Sequence, residues 1–381
     1  MKLLPILLLS LLLAACAGTP KLLKTDHLFK DAAFTPPSER ISTADVFAAN
    51  DDMKHYLQVT IADQLRIKGP QQGLINALYS RNQLKVEYDS ARTRTAAQTF
   101  AERAGNCLSL VIMTAALARE IGLPVQYQSV FIDETWSRTS DMYVAAGHVN
   151  LTVGKRYHDV KSRVDDNVMI TIDFNPPQEN SSHHTWAISE ETILAMYMNN
   201  RAAEALAQGK VNDAYWWAKE SVSQDASFLS GFNTLGVVYR RHGNLAEAEM
   251  AFNYVMTREP WNTQAMSNLA RVYTDQGRIS EAKELYARLE KRQPYPPFYF
   301  FDQGQAAMRD GDFKKARDLF AREVDRDSYN HEFHFWLASA YYRLGDYVQA
   351  RKHLAVAMDF SPTRTQQDLY AAKLDRLKAY Q

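Results

Sequence analysis

The sequence predicts two architectures in series, an α+β domain over residues 41–195 and an all-α solenoid over residues 196–362. Three observations predict them. Glycine recurs every 34 residues at Gly209, Gly243, Gly277, Gly311 and Gly345, and alanine keeps the same period at Ala214, Ala248, Ala282, Ala316 and Ala350. Between Ile41 and about Glu190, helix-like stretches alternate with strand-like ones. The chain has only two cysteines, and Cys107 alone lies inside a domain.

At the N-terminus, Lys2 is followed by an apolar run from Leu3 to Ala15, too short to span a bilayer comfortably. Residues 1–15 therefore read as a signal peptide. Leu13-Ala14-Ala15-Cys16 resembles a bacterial lipobox, and the resemblance implies a lipoprotein whose mature N-terminus is a lipidated Cys16. Ala15-Cys16-Ala17 also fits the cleavage pattern of an ordinary secretory signal. Ala17, where an acidic residue would signal retention, implies an outer-membrane anchor facing the periplasm. Several acyl chains hold such an anchor where one would be marginal. Residues 16–40 contain Pro20, Pro36 and Pro37 and read as a tether, part of which can pack on the domain that follows.

Within the α+β region, Phe47 to Lys68, Gly73 to Leu78 and Ala96 to Ile121 favour helices. Gln126 to Ile132, Gly147 to Val153 and Met169 to Phe174 alternate as strands do, and Gly154-Lys155 marks a turn. Cys107 follows Asn106, a good N-cap, and precedes an apolar helical run ending at Gly122 and Pro124. It is thus placed in the first turn of a buried helix, where the helix dipole favours thiolate over thiol. A cysteine in that position also reads as a small buried hydrophobe. However, a lone unpaired thiol in an exported protein needs a reason to persist, and nucleophilic catalysis supplies one.

Two downstream residues complete a candidate set. Alternation puts His148, Asn150 and Thr152 on one face of a strand and Val149, Leu151 and Val153 on the other. Asp173 ends another apolar strand and is placed to receive the second imidazole proton, which fixes the tautomer. The order Cys, His, Asp, with a helix-start cysteine and two later strands, resembles the transglutaminase-like branch of the papain-type thiol enzymes. The likeness is sharpest from Arg92 to Val130, where Gly105-Asn106-Cys107 opens a helix that closes in Gly122-Leu123-Pro124. It implies that Cys107 is the nucleophile, His148 the general base and then acid, and Asp173 the orienter. The stretch from Asp133 to Gly147 reads as an inserted loop able to cover the site. No side-chain donor for an oxyanion hole stands out, which leaves the Cys107 backbone N–H.

The 34-residue period resembles the tetratricopeptide repeat, here in five copies. Small alanines let paired helices approach, and each glycine falls where a first helix must end in a positive φ. Leu235, Gly236, Tyr239 and Phe252 recur as Leu269, Ala270, Tyr273 and Tyr286, then as Leu337, Ala338, Tyr341 and Leu354. Pro260, Pro294 and Pro362 close second helices, whereas the repeat around Gly209 is degenerate and that around Gly311 lacks the tyrosine and the terminal proline. Residues 363–381 read as a polar capping helix, which a stacked array needs at its end.

Composition narrows the partners. Lys plus Arg equals Asp plus Glu at 44 each, which disfavours nucleic acid. No phosphate loop, dinucleotide fingerprint or C-x-x-C motif calls for a cofactor. His183 and His184 are adjacent but lack a second ligand pair, so no metal site is assigned, and His158 beside Asp159 reads as exposed. Two functions follow. The first is a membrane-anchored thiol hydrolase or acyl-transfer enzyme that cleaves a peptide or amide bond, with the repeats recruiting a protein or peptide. The second is an inactive envelope scaffold that works through its repeats alone.

Overall fold

The computed structural model describes residues 25–80, 82–139, 142–155, 169–174 and 184–377. The signal peptide, Cys16, His158, Asp159, His183 and the last four residues of the capping helix lie outside the described residues. Among the described residues, no helix is long and apolar enough to cross a membrane.

The chain enters as an extended strap with two short 3-10 turns, Asp26–Leu28 and Asp31–Ala33. From residue 25 onward the expected tether is a packed element, and it packs on the repeats. Phe34 stacks on Tyr215 with ring centroids 3.9 Å apart, the Tyr239 hydroxyl donates to the Leu28 carbonyl at 2.7 Å, and Asp213 accepts from Ser38 N and Oγ. Aromatic burial explains the difference, because Phe34 and Leu28 are buried in the same core as the first repeats.

The helices of the α+β domain follow. α1 (Asp51–His55) runs through a π turn at Tyr56–Thr60, then come α2 (Ala62–Lys68) and α3 (Pro70–Tyr79). The single helix read over Phe47 to Lys68 is therefore interrupted. β1 (Glu87–Tyr88) precedes α4 (Ala96–Glu102), which opens with a Thr95–Gln98 capping box and ends at Arg103 in the left-handed region. β2 (Ala104–Gly105) pairs in parallel with β1 and separates α4 from α5 (Cys107–Glu120).

A four-stranded antiparallel sheet completes the domain: β3 (Val125–Thr139), β4 (Met142–Gly154), β5 (Met169–Ile172) and β6 (Thr185–Ile188), in the order β5-β4-β3-β6. Two findings depart from the sequence reading. The stretch read as an inserted loop is a continuation of β3 and β4, which pair out to Thr139 and Met142 after a register shift. Moreover, β4 is central, so His148, Asn150 and Thr152 are as buried as the alternate residues Val149, Leu151 and Val153.

The solenoid comprises ten helices in five pairs: α6 (Glu190–Ala207) with α7 (Val211–Gln224), α8 (Leu229–His242) with α9 (Leu245–Arg258), α10 (Thr263–Asp275) with α11 (Ile279–Arg292), α12 (Tyr299–Asp310) with α13 (Phe313–Arg326), and α14 (His331–Arg343) with α15 (Tyr347–Asp359). Helix α16 (Arg364–Leu377) covers the end by burying Tyr370 and Leu377. The domain boundary drawn at 195 falls inside α6, whose start is set by the Ser189 N-cap and which continues the core of the α+β domain.

All five periodic glycines have φ between +74° and +90°, and all five periodic alanines are buried. A β-carbon on Gly277 would meet no neighbour within 4 Å, so only the backbone resists substitution there. Gly277→Val is expected to lose about 1–2 kcal/mol, and Gly277→Asn less, because asparagine tolerates this conformation. Equal melting temperatures for wild type and the valine variant would contradict the turn's role.

The core is not continuous along the array. One cluster runs from the strap and the α+β domain through the third repeat to Leu285, with Leu289 packed on it, and a separate one begins at Phe298. Between them lies Pro294-Tyr295-Pro296-Pro297. The fourth repeat restarts at Phe298 with φ +64°, and its first helix is capped from its second: the Glu323 carboxylate accepts from Phe300 N at 2.7 Å and Phe301 N at 3.3 Å.

Candidate active site

Asn106 builds the cysteine end of the site. Its side-chain oxygen accepts from Ser109 N at 2.9 Å and Ser109 Oγ at 2.8 Å, which caps α5, and its amide donates to Thr93 Oγ1 at 3.0 Å. Cys107 is thereby the first residue of a buried helix, where its own N–H has no intrahelical acceptor. Cys107 is a free thiol, half-buried.

The Cys107 sulfur lies 3.6 Å from His148 Nδ1. His148 Nε2 is 2.9 Å and 2.8 Å from the two Asp173 carboxylate oxygens. A carboxylate only accepts, so Nε2 carries a proton and Nδ1 is left to share one with sulfur. Three residues spread over 66 positions of sequence thus meet in one chain of contacts. Burial pulls the His148 pKa down, but the hydrogen bonds to Asp173 and Cys107 and the charges on both outweigh it, and the net result is a rise to about 9.

Several partners were not legible beforehand. Asn150, next on the same face of β4, donates to Asp173 Oδ2 at 3.0 Å, and the Tyr79 hydroxyl from α3 donates to the Asp173 carbonyl at 3.3 Å. Asp173 is therefore held by two elements besides its own strand end. More consequential is Tyr88. The β1–β2 bridge sets Tyr88 opposite Gly105, two residues ahead of Cys107. Tyr88 is 40% exposed, and its hydroxyl is within hydrogen-bonding reach of the sulfur. Burial, then the Cys107 charge and a hydrogen bond to Cys107, push the phenol pKa up, so the hydroxyl keeps its proton. The only sequence signal for it was an aromatic residue in an apolar-polar alternation too short to read as a strand.

The segment from Asp89 to Thr95 cinches this corner to its surroundings. Buried Arg94 pairs with Asp89 and Glu102, each at 2.7 Å, and its backbone N donates to Ser109 Oγ at 2.9 Å. Thr93 N donates to Glu204 of α6 at 2.6 Å, and Ser90 N donates to the Pro362 carbonyl, at the far end of the array, at 3.0 Å. Both ends of the solenoid therefore touch the segment that borders the thiol. Among the described residues, no group of three or more His, Cys, Asp or Glu is placed to hold a metal ion; His184 is exposed.

Fold and site together define a cysteine-enzyme-like α+β domain joined to a helical repeat array. Family models name both parts: the transglutaminase-like superfamily matches residues 60–187, and tetratricopeptide repeats match residues 239–297 and 301–364. The chain carries a transglutaminase-like domain followed by tetratricopeptide repeats. No curated protein matches it. Solved structures resemble the repeat half at low identity. MamA residues 41–end from Desulfovibrio magneticus RS-1 is 18% identical over 45% of this chain and 96% of its own, with a TM-score of 0.27. TTC0263 from Thermus thermophilus is 16% identical over 47% and 98%, with a TM-score of 0.29. YrrB, described as a tetratricopeptide-repeat protein with an unusual peptide-binding site, is 19% identical over 47% and 92%, with a TM-score of 0.25. At these scores none carries an argument about function.

Proposed function

We propose that the protein is a thiol acyl-transfer enzyme of the cell envelope that hydrolyses a peptide or amide bond in a substrate recruited by its repeats. The observation that carries this reading is the chain of contacts from sulfur to imidazole to carboxylate. In the reaction, His148 Nδ1 takes the Cys107 proton and the sulfur attacks the amide carbonyl. The Tyr88 hydroxyl and the Cys107 backbone N–H donate to the oxygen that becomes negative. His148 returns its proton to the leaving amine, which leaves an acyl thioester on Cys107. Water, deprotonated by the same imidazole, then releases the acid and restores the thiol.

Labelling with a thiol-directed activity probe tests this reading: a single adduct on Cys107 that needs His148 supports it. An adduct indifferent to His148, or none, would favour the scaffold alternative. The pH profile is a second check. The imidazolium is held to about pH 9 in the folded chain, against 6.5 for the free side chain. Turnover is expected to fall above about pH 9, where His148 can no longer protonate the leaving group, and Asp173→Asn should move that limb to lower pH. The sign for stability agrees: a raised histidine pKa contributes stability that is complete below pH 6.5 and fades as pH rises through about 9.

The anchor is proposed on the lipobox alone. Cys16→Ala is expected to abolish globomycin-sensitive processing and to release the protein from membranes; continued membrane association would count against lipidation at Cys16.

A further inference from the structure

The distal body of the array contains a cavity of about 370 Å³ between α14 and α16. Its apolar wall is Phe298, Phe335, Trp336, Leu369 and Tyr370. Leu369 is 51% exposed, so the cavity opens to solvent on that side. Its polar lining is Asn330, His331, Glu332 and Gln366, and Asn330 Oδ1 accepts from Glu332 N and Phe333 N. The Tyr370 hydroxyl and His331 Nδ1 are 2.9 Å apart, and burial holds the His331 pKa down at about 4, so this pair is uncharged near neutral pH. The Glu332 carboxylate would repel an anion. Four aromatic rings, an aliphatic mouth and a neutral tyrosine–histidine pair suit a flat apolar group better than an anion.

The position of the cavity says what that group belongs to. The Pro362 carbonyl accepts from Ser90 N at 3.0 Å and Ser90 Oγ at 3.3 Å. Ser90 is two residues from Tyr88, whose hydroxyl lies beside the Cys107 sulfur. Gln366, on the cavity wall, lies in the first turn of α16, four residues beyond Pro362. Adding two extended residues, a tyrosine side chain, a hydrogen bond and a turn of helix places the cavity mouth within about 25 Å of the sulfur. An extended peptide of about seven or eight residues covers that distance.

We propose that the cavity between α14 and α16 is a specificity subsite that seats an aromatic side chain of the peptide whose acyl bond is presented to Cys107. The seat lies within peptide reach of the thiol because the array closes back onto the Asp89–Thr95 segment. As a statement about substrate it rests on the thiol-enzyme reading; as a statement about binding it does not. The test keeps them apart. Full-length protein carrying Cys107→Ala, which binds without turnover, is used to select from a randomised decapeptide library. Phe, Tyr or Trp is expected to be enriched about tenfold at one position of the selected peptides, equivalent to about 1.4 kcal/mol. Leu369→Trp and, independently, Gln366→Trp fill the mouth from exposed or half-buried positions and should each abolish that enrichment. Enrichment that survives both variants, or selected peptides without an aromatic preference, would overturn the proposal. Absence of probe labelling on Cys107 in the unsubstituted chain would instead remove the enzyme reading and leave the aromatic seat intact.

Discussion

His148→Ala is expected to slow the reaction of Cys107 with a substrate-like acylating probe by about 10²–10⁴-fold, the range a positioned general base contributes. The imidazole at 3.6 Å is the proton acceptor that faces the sulfur, and the helix end that carries Cys107 would remain capped by Asn106. The fold should therefore survive while the proton has nowhere to go. A companion variant separates the two duties of the site. An alkylating reagent such as iodoacetamide builds no oxyanion, so Tyr88→Phe should leave alkylation of Cys107 nearly unchanged yet slow amide turnover by about 10²–10³-fold. If Tyr88→Phe slows both reactions equally, the hydroxyl acts on the sulfur itself and not on the developing oxygen. Rates measured side by side with the two reagents decide between these roles.

Phe252→Ala should be the most damaging single change in the solenoid, at about 3–5 kcal/mol. Phe252 is fully buried on α9, and its ring presses against α8 at Gly236, where a β-carbon would come within 2.6 Å of it. Gly236→Ala alone is accordingly expected to destabilise the array, since the ring cannot retreat into a packed core. The two effects should not add. In the fifth repeat the equivalent positions are Ala338 and Leu354, a smaller partner facing a larger β-carbon in the same helix pair. Gly236→Ala combined with Phe252→Leu should therefore cost less than the sum of its parts, which a double-mutant cycle by denaturant unfolding measures. Simple additivity would show that the glycine is there for some reason other than the ring.

These pairs also show why the repeats were so readable in the amino-acid order. Each period restates the same local demands, a positive φ at the turn and a small residue at the helix crossing, and such demands fall on one residue type at one position. His148 and Asp173 were legible for a related reason, because strand alternation determines which side chains share a face. Tyr88 was not: a two-residue strand has no period, and its partner Gly105 belongs to a different element. The extension of β3 and β4 was missed because Asp133 to Gly147 is polar enough to read as a loop, whereas the ladder is held by backbone bonds that no side-chain pattern records. Packing of the strap was expected in part, but on the α+β domain and not on the repeats, because the burial of Phe34 and Leu28 depends on surface about 180 or more positions away. The contact between Ser90 and Pro362, 272 residues apart, sums the packing angles of every repeat between them.

The interruption in the core at Pro294–Pro297 has a mechanical consequence. A solenoid with unbroken packing resists tension along its whole length, whereas this one has a weak link where the buried cluster ending at Leu285 and Leu289 gives way to the one starting at Phe298. Pulled apart, the array should part at that link once the Ser90–Pro362 contact that bridges it has let go. The outer part is itself divided between the cluster around Phe320 and the one that joins the fifth repeat to its cap. The thiol domain and the first three repeats would hold to a higher load. Because Ser90 also holds Pro362, a load on the outer repeats would reach the corner where Cys107 and His148 meet through that contact, before the array itself lengthens.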